Sequence, residues 1–342
     1  MATMDVFKAD GFSAADMTAE VNKEDSLPTL LRSMEGLFEP ESVTTPTVQM
    51  EELGGALSLV SAQERRGPAQ RVARDKRKLY TLDVPHLPTE DLITADEVAG
   101  IRAFGQTSEL MQVEALVQRT QRKLRRNIEL TLENHALGAI KGQVIDADDS
   151  TILTDLPTIF GVSLPSTINF DLDNASPASG ALRTAITGAL RIIDRALKSL
   201  ATIPTKGYVA VCGDTFFDQL VAHTEVRETV KNWSAAATLR EDGRREVIFG
   251  GVRWINYVGT DDNSTVAVAA TACHIFPVGI PGLFREIWAP ANYVETVNTP
   301  GLPFYSKRAI DPEFQKWVKV EVQSNPLLIC TQPGVLQQGV NT

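Results

Sequence analysis

Between Thr107 and Ile140 apolar side chains recur at Leu110, Val113, Val117, Leu124, Ile128, Leu132 and Ala136, with no Pro and no Gly before Gly138. Steps of three, four or their multiples put these residues on one stripe of an α-helix. Thr107 or Ser108 supplies the start cap, and Gly138 and Gly142 mark the end. At 1.5 Å per residue the rod is on the order of 50 Å long. Its single stripe and polar flanks predict a helix lying along a surface and not inside one. A second amphipathic helix reads from Ala181–Leu200, ALRTAITGALRIIDRALKSL.

Elsewhere the apolar residues come in short runs. KGYVAVCGD reads as a buried strand ending in a turn, with DTFFDQLVA and EVRETVKNW as short helices behind it. REVIFGGVRWINYVG reads as a hairpin turning at Gly250–Gly251, and STVAVAATACHIFPVG as a further strand. QVIDADDSTILTDLPTIFGVSL and TINFDL are strands and turns, and the last sixty or so residues alternate strand-like REIWA, YVETV, WVKVEVQ and LLICTQ with Pro-containing turns. Residues 1–46 hold one short helical candidate, SLPTLLRSMEGLF, whose few apolar residues need another surface to cover them. VQMEELGGALSLV then looks extended, broken at Gly54–Gly55, and LYTLDVPHLPTEDLI, with Pro85 and Pro88, reads as edge strands and turns. The class is α+β with one dominant helix, and no segment repeats.

Charge sharpens this picture. The chain has 342 residues and a net charge of −10, long enough for two domains. Yet Arg65, Arg66, Arg71, Arg74, Lys76, Arg77 and Lys78 crowd into residues 64–78 against Glu64 and Asp75, and Arg119, Arg122, Lys123, Arg125 and Arg126 follow on the long helix. Each cluster nets +5, which leaves −20 on the remainder. A body that acidic repels a polyanion beyond contact range, whereas nucleic-acid readers are basic as whole domains. No stretch approaches 18 uninterrupted apolar residues, so no membrane span is expected, and MATMDVFKADGF lacks the apolar core of a secretory signal. Cys212, Cys273 and Cys330 are widely spaced in apolar runs, the pattern of buried free thiols in a reducing compartment.

Catalytic constellations are missing. The sequence contains no G-x-x-x-x-G-K, G-x-G-x-x-G, G-x-S-x-G or H-E-x-x-H. Asp146, Asp148 and Asp149 resemble the start of a calcium loop, but Thr151 stands where its Gly belongs and Pro157 where its Glu belongs, so a solvated turn is expected. Cys273 and His274 are strand neighbours that point to opposite faces and cannot form a nucleophile–base pair. His86, His135 and His223 have no ligand spacing, and His135 sits near the helix C-terminus, whose dipole favours its charge. Asp171 and Asp173 read as loop solvation or a cap for the next helix. Trp233, Trp254, Trp288 and Trp317 are scattered, mostly in strand patterns that call for core packing. We expect no enzyme, no cofactor and no metal.

The order of parts carries a resemblance. The loop around Val48–Leu92, the helix Gln106–Gly142 with RTQRKLRRNIEL at its centre, GYVAVCGDTFFDQLVAHTEVRETV, FGGVRW and SNPLLICTQPGVL together resemble tailed-phage major capsid proteins of the lambda-like (E-type) group, which have the HK97 shell fold. The resemblance spans nearly the whole chain. It implies an N-terminal arm (1–46), an extended E-loop (47–100), a peripheral domain (101–180) with a spine helix at about 107–140, an axial domain (181–275) and return strands shared between the two (276–342). It further implies self-assembly into hexamers and pentamers that form an icosahedral-type shell around double-stranded DNA, made in the host cytoplasm and carried as the virion capsid. Scaffolding and decoration proteins are the other partners implied. Some relatives crosslink a loop lysine to a neighbour, and Lys76 and Lys78 lie in that region, but lambda-like members are not expected to do so.

On this reading the basic run is a loop tip meeting the acidic surface of the next subunit, with Asp96, Glu97, Glu109 and Glu114 as candidate partners. Two alternatives stand beside it. One is a nucleic-acid-binding module using 64–78 and 119–126 as a single basic surface. The other is a non-viral compartment shell of the same fold, like an encapsulin.

Overall fold

The structure is a computed structural model that describes residues 13–23, 29–54, 76–99, 109–148, 150–174, 176–197, 205–232, 246–258 and 266–341. Helix α1 (Ala14–Lys23) starts at Ser13, whose hydroxyl accepts the Asp16 N–H, and buries Met17 and Val21. The sequence suggested a helix later, at SLPTLLRSMEGLF. From Thr29 that stretch forms successive turns instead. Its Leu31 and Arg32 N–H groups bond a carboxylate of another element, and Gly36 takes φ +77°, so no helical ladder runs through it.

Strand β1 (Glu39–Ser42) follows, then β2 (Thr47–Gly54) and β3 (Lys76–Asp83), which among the described residues pair only with each other, from Thr47↔Asp83 to Gly54↔Lys76. After β4 (Leu87–Thr94) and α2 (Ala95–Ala99) comes the long helix α3 (Glu109–Lys141). Val117, Leu124, Ile128, Leu132 and Ala136 are all buried, as the period predicts. Leu110 and Val113 lie outside the residues whose side chains are described. The helix ends at Gly142, in the left-handed region (φ +93°), but Gly138 is no terminator: a Cβ there would sit 2.8 Å from the Gln143 carbonyl oxygen and Val144 Cα. Gly138 therefore admits the return of β5 (Gln143–Ile145) against the helix. Residues 135–140 are all buried, so the C-terminal turns run inside the body and only the earlier part follows a surface.

β5 pairs with β6 (Ile152–Asp155), and α4 (Leu156–Phe160) and β7 (Ile168–Asn169) lead to α5 (Ala181–Leu197). Then come β8 (Gly207–Cys212), α6 (Asp214–Ala222), α7 (Thr224–Asn232) and the hairpin β9 (Glu246–Phe249)–β10 (Val252–Asn256), turning at Gly250–Gly251 as read from the sequence. Of STVAVAATACHIFPVG only the second half is a strand, β11 (Ala272–Val278). After β12 (Phe284–Trp288), YVETV proves to be a single 3-10 turn at Val294–Thr296. The remaining strands are β13 (Tyr305–Ile310), β14 (Trp317–Ser324), β15 (Pro326–Cys330) and β16 (Gln337–Val340); β13 and β16 were not visible in the pattern.

Three larger sheets organise the body. The six-stranded sheet runs β7-β16-β11-β8-β10-β9, with β8 and β10 parallel across the α6–α7 connection. α5 lies on one of its faces, burying Leu182, Ile186, Ala189 and Ile193. A three-stranded sheet, β13-β14-β4, packs on α3, and Val318, Val320, Val322 and Ile93 are buried in it. A third, β1-β12-β15, ties the N-terminal segment in parallel to β12. The buried apolar residues of all three form one continuous core.

α5 shows how tertiary contacts replace a local cap. Asp171 and Asp173 do not cap it. The Glu225 carboxylate of α7 accepts the Leu182 and Arg183 N–H groups at 3.3 and 3.4 Å, which puts a negative charge at the positive end of the helix.

Candidate functional site

Of the seven cations in the basic run, Arg65, Arg66, Arg71 and Arg74 lie outside the described residues; Lys76, Arg77 and Lys78 form the start of β3. The ribbon β2–β3 is anchored at its base, where Val48 and Leu82 are buried and Tyr80 meets Phe160 edge-on at 5.1 Å. Further along it Glu51, Arg77, Lys78 and Leu79 are exposed. Arg77 pairs across the ribbon with Glu51 at 3.9 Å, both in solvent, a contact worth well under about 1 kcal/mol. Lys78 is exposed with no ion pair among the described residues, and Leu79 is 57% exposed.

The acidic candidates are scattered over the start of the following helices. Asp96 and Glu97 lie on α2, where Glu97 accepts the Thr94 N–H at 2.9 Å and donates its own N–H to the Thr94 hydroxyl. This is a capping box, so Glu97 has a local duty. Glu114 is half-buried on α3, and the side chain of Glu109 is not described. No described ion pair joins these residues to Lys76, Arg77 or Lys78 within the subunit.

In the second basic cluster Arg119, Arg122, Lys123 and Arg126 are exposed, but Arg125 is not. Arg125 is 6% exposed: it pairs with Glu129 at 2.9 Å, donates to the Val21 carbonyl and lies 4.7 Å from the Phe304 ring centroid. Lys123 bonds Asp91 at 2.9 Å and lowers its pKa. A single basic face made of 64–78 and 119–126 is therefore contradicted at Arg125, whose charge is spent in holding α1 on α3.

Next to that pair, Glu133 makes a junction invisible in the sequence. Its carboxylate accepts the Leu31 N–H at 2.9 Å, the Arg32 N–H at 3.4 Å and the Tyr257 hydroxyl at 3.2 Å, and it is 4% exposed. One carboxylate thus joins the N-terminal segment, α3 and the end of β10. Burial pushes its pKa up, against the pull of those donors. Arg32 reaches in turn to Glu286 at 2.9 Å. The available signal was Arg125, Glu129 and Glu133, spaced by four and each one residue behind the apolar stripe.

The remaining chemistry is structural. Asp148 accepts N–H groups from Ser150 and Thr151 and the Thr151 hydroxyl, the expected turn, and these bonds lower its pKa. Among the described residues no group of three His, Cys, Asp or Glu is arranged to hold a metal, and no helix is long and apolar enough to cross a membrane. The three thiols are free and buried, and burial pushes Cys330 up to about 12.

His135 departs from the expectation of a dipole-stabilised charge. It is 1% exposed, its Nε2 has no partner, and burial lowers its pKa from 6.5 to about 4 despite Asp146. Since the unfolded chain binds the proton more tightly, stability should fall as pH drops from about 6.5 to about 4, by up to about 1.4 kcal/mol per unit. Urea midpoints measured across that window should lose part of their slope in His135→Gln; an unchanged slope would place the acid sensitivity elsewhere.

Comparison with known proteins gives this geometry a context. A family model described as phage major capsid protein E matches residues 13–341. The chain is 27% identical to a major capsid protein of Pseudomonas phage KPP10 over 324 residues, covering 89% of this chain and 90% of the relative. It is 25% identical to that of Salmonella phage Felix O1, covering 95% of each. Among solved structures, the mature capsid of bacteriophage PhiM1 superposes with a TM-score of 0.53 at 12% identity, over 93% of this chain and 89% of that one. The capsid of Myoviridae phage XM1 does so with 0.51 at 11%, over 93% and 94%. These likenesses are of fold, the HK97 shell fold.

Proposed function

The chain belongs to the phage major capsid protein E family, whose members are structural shell proteins and not enzymes, and from that premise we propose that its subunits join through the β2–β3 ribbon. The observation that carries this is the pairing of the ribbon. A two-stranded ribbon that pairs with no other strand among the described residues, charged and with Leu79 in solvent, is marginal by itself and gains from a neighbour that covers it. The cations of the run, Arg65, Arg66, Arg71, Arg74, Lys76, Arg77 and Lys78, then meet acidic groups of the next copy, with Asp96, Glu109 and Glu114 as candidates and Glu97 already engaged as a cap.

On this reading 1–46 is an arm, 47–100 the E-loop, 101–180 the peripheral domain, 181–275 the axial domain and 276–342 the shared return. Hexamers and pentamers assemble in the host cytoplasm, with scaffolding and decoration proteins as further partners, and the finished virion shell encloses double-stranded DNA. The acidic body suits a wall that must not hold the DNA it contains.

Electron microscopy of the purified protein should show closed shells, sheets or rings. The triple variant Arg71, Arg74, Arg77→Glu should fold normally and form none, and wild-type assembly should weaken with salt, because exposed pairs are screened within about 10 Å at 0.1 M. Lys at one acidic candidate should restore assembly and so identify the contact. Normal shells from the triple variant would overturn the ribbon contact; lost DNA affinity with intact shells would favour nucleic-acid binding.

A further inference from the structure

Two of the three cysteines face each other inside the six-stranded sheet. Cys273 on β11 stands directly opposite Cys212 on the antiparallel strand β8, and both are 0% exposed. Antiparallel pairs alternate between hydrogen-bonded positions and open ones, where the side chains come closer. The Gly213 N–H donates to the Ala272 carbonyl at 3.0 Å, so the pair Gly213–Ala272 is bonded and its neighbour Cys212–Cys273 is an open one. Pro277, opposite Tyr208, falls in the same phase of β11 and has no N–H to offer β8, as that phase requires. At an open pair the Cα atoms are about 4.5 Å apart, inside the range of about 4.4–6.8 Å that a disulfide spans. Cys330 is placed differently: it lies on β15 in another sheet, opposite Phe284.

The surroundings favour a bond between the two sulfurs over an adduct on either. Gly339 of β16 lies beside Cys273, and even a Cβ added there would meet the Cys273 Sγ at 2.7 Å and clash with the Phe170 ring. We propose that Cys212 and Cys273 are a reversible cross-strand disulfide site, kept as two thiols in reducing surroundings and closed in oxidising ones, where it locks the six-stranded sheet. Only its use as a lock on a shell rests on the shell-forming reading. The step is an exchange with a small soluble disulfide of the oxidised-glutathione class. One cysteine thiolate attacks a sulfur of that disulfide and releases one small thiolate; the second cysteine thiolate attacks the mixed disulfide and releases the other. The two cysteine protons end on the released thiols, and two electrons pass from the cysteine pair to the small disulfide. Both thiols are enclosed, so the exchange waits on a local opening of β16, a four-residue strand between β11 and the two-residue β7. The mixed disulfide exists while β16 is open and resolves into the cross-strand bond before it closes. Burial and the facing Cys273 thiol both push the Cys212 thiol well above its ordinary value, which makes the exchange slow at neutral pH and faster as pH rises.

The full-length protein, reduced and then incubated with oxidised glutathione, tests the site by mass spectrometry after alkylation in denaturant. Two of the three cysteines should escape the label, the chain should lose the mass of two hydrogens, and a digest should link the peptides of Cys212 and Cys273. Cys330→Ala should link as the wild type does, whereas Cys212→Ala and Cys273→Ala should not. The bond closes a loop that holds α6, α7, β9 and β10, so linked shells should melt about 5 °C above reduced ones, and dithiothreitol should reverse the gain. A parallel incubation in urea below the unfolding midpoint keeps the result decisive where β16 opens too rarely in water. Three labelled thiols under both conditions, a glutathione adduct in place of the link, or a bond to Cys330 would overturn the site. Linked shells that melt like reduced ones would overturn the lock. Linked protein that forms no particles would leave the bond standing and overturn the shell-forming reading instead.

Discussion

Glu133→Ala is expected to destabilise the subunit by about 3–5 kcal/mol, which lowers the melting temperature by roughly 10 °C. The reason is what the substitution leaves behind. The N–H groups of Leu31 and Arg32 and the Tyr257 hydroxyl all donate to this carboxylate in the interior, and none gains a replacement acceptor. Each buried donor without a partner costs about 1–3 kcal/mol. Glu133→Gln keeps an acceptor oxygen and should cost less. The two variants also separate the pH dependence. Because burial raises the Glu133 pKa in the fold, its protonation contributes stability fully below the ordinary carboxylate value, and that contribution is lost as pH rises through the raised one. The Gln variant should flatten the profile there, on the alkaline side of a carboxylate's usual range. A Glu133→Ala protein as stable as the wild type would mean that the N-terminal segment does not depend on this junction.

Leu124→Asp should yield no soluble subunit at all. Leu124 is 4% exposed, in line with Val117, Ile128 and Leu132 on the stripe that faces the β13-β14-β4 sheet. An unpaired carboxylate there costs several kcal/mol, a large share of the 5–15 kcal/mol by which a fold of this kind is stable. Leu124→Met, nearly equal in volume, should cost less than about 1.5 kcal/mol and remain soluble. The pair distinguishes loss of packing from burial of charge, and soluble, shell-forming Leu124→Asp protein would show that the stripe faces water.

What the sequence determined by itself is what local physics controls. The three- and four-residue period from Val117 to Ala136 specified α3 because each residue reports the same neighbour, the sheet beneath it. The hairpin at Gly250–Gly251, the buried run of β8, the helices α5, α6 and α7, and the absence of catalytic motifs were legible for the same reason: each is encoded within a few residues. The uneven charge was legible too, but not its use. Arg125 and Arg126 are adjacent and look alike in sequence, yet one is buried on Glu129 and the other is exposed, because helix rotation places only Arg125 beneath α1.

Only the tertiary structure decided the rest. The helix of the N-terminal segment is α1 and not SLPTLLRSMEGLF, because Glu133, about a hundred residues away, takes the N–H groups that a helix would have used. His135 is neutral, not charged, because the last turns of α3 are enclosed and desolvation outweighs the helix dipole. β13 and β16, short and mixed in composition, become strands only when β14 and β11 present the opposite ladder. Even the β4–β14 pairing, Trp317↔Thr94 to Ser324↔Leu87, joins segments more than two hundred residues apart. A one-dimensional pattern states which face of an element is apolar; which distant element covers that face, and which charges are caught between them, is fixed only when the chain closes on itself.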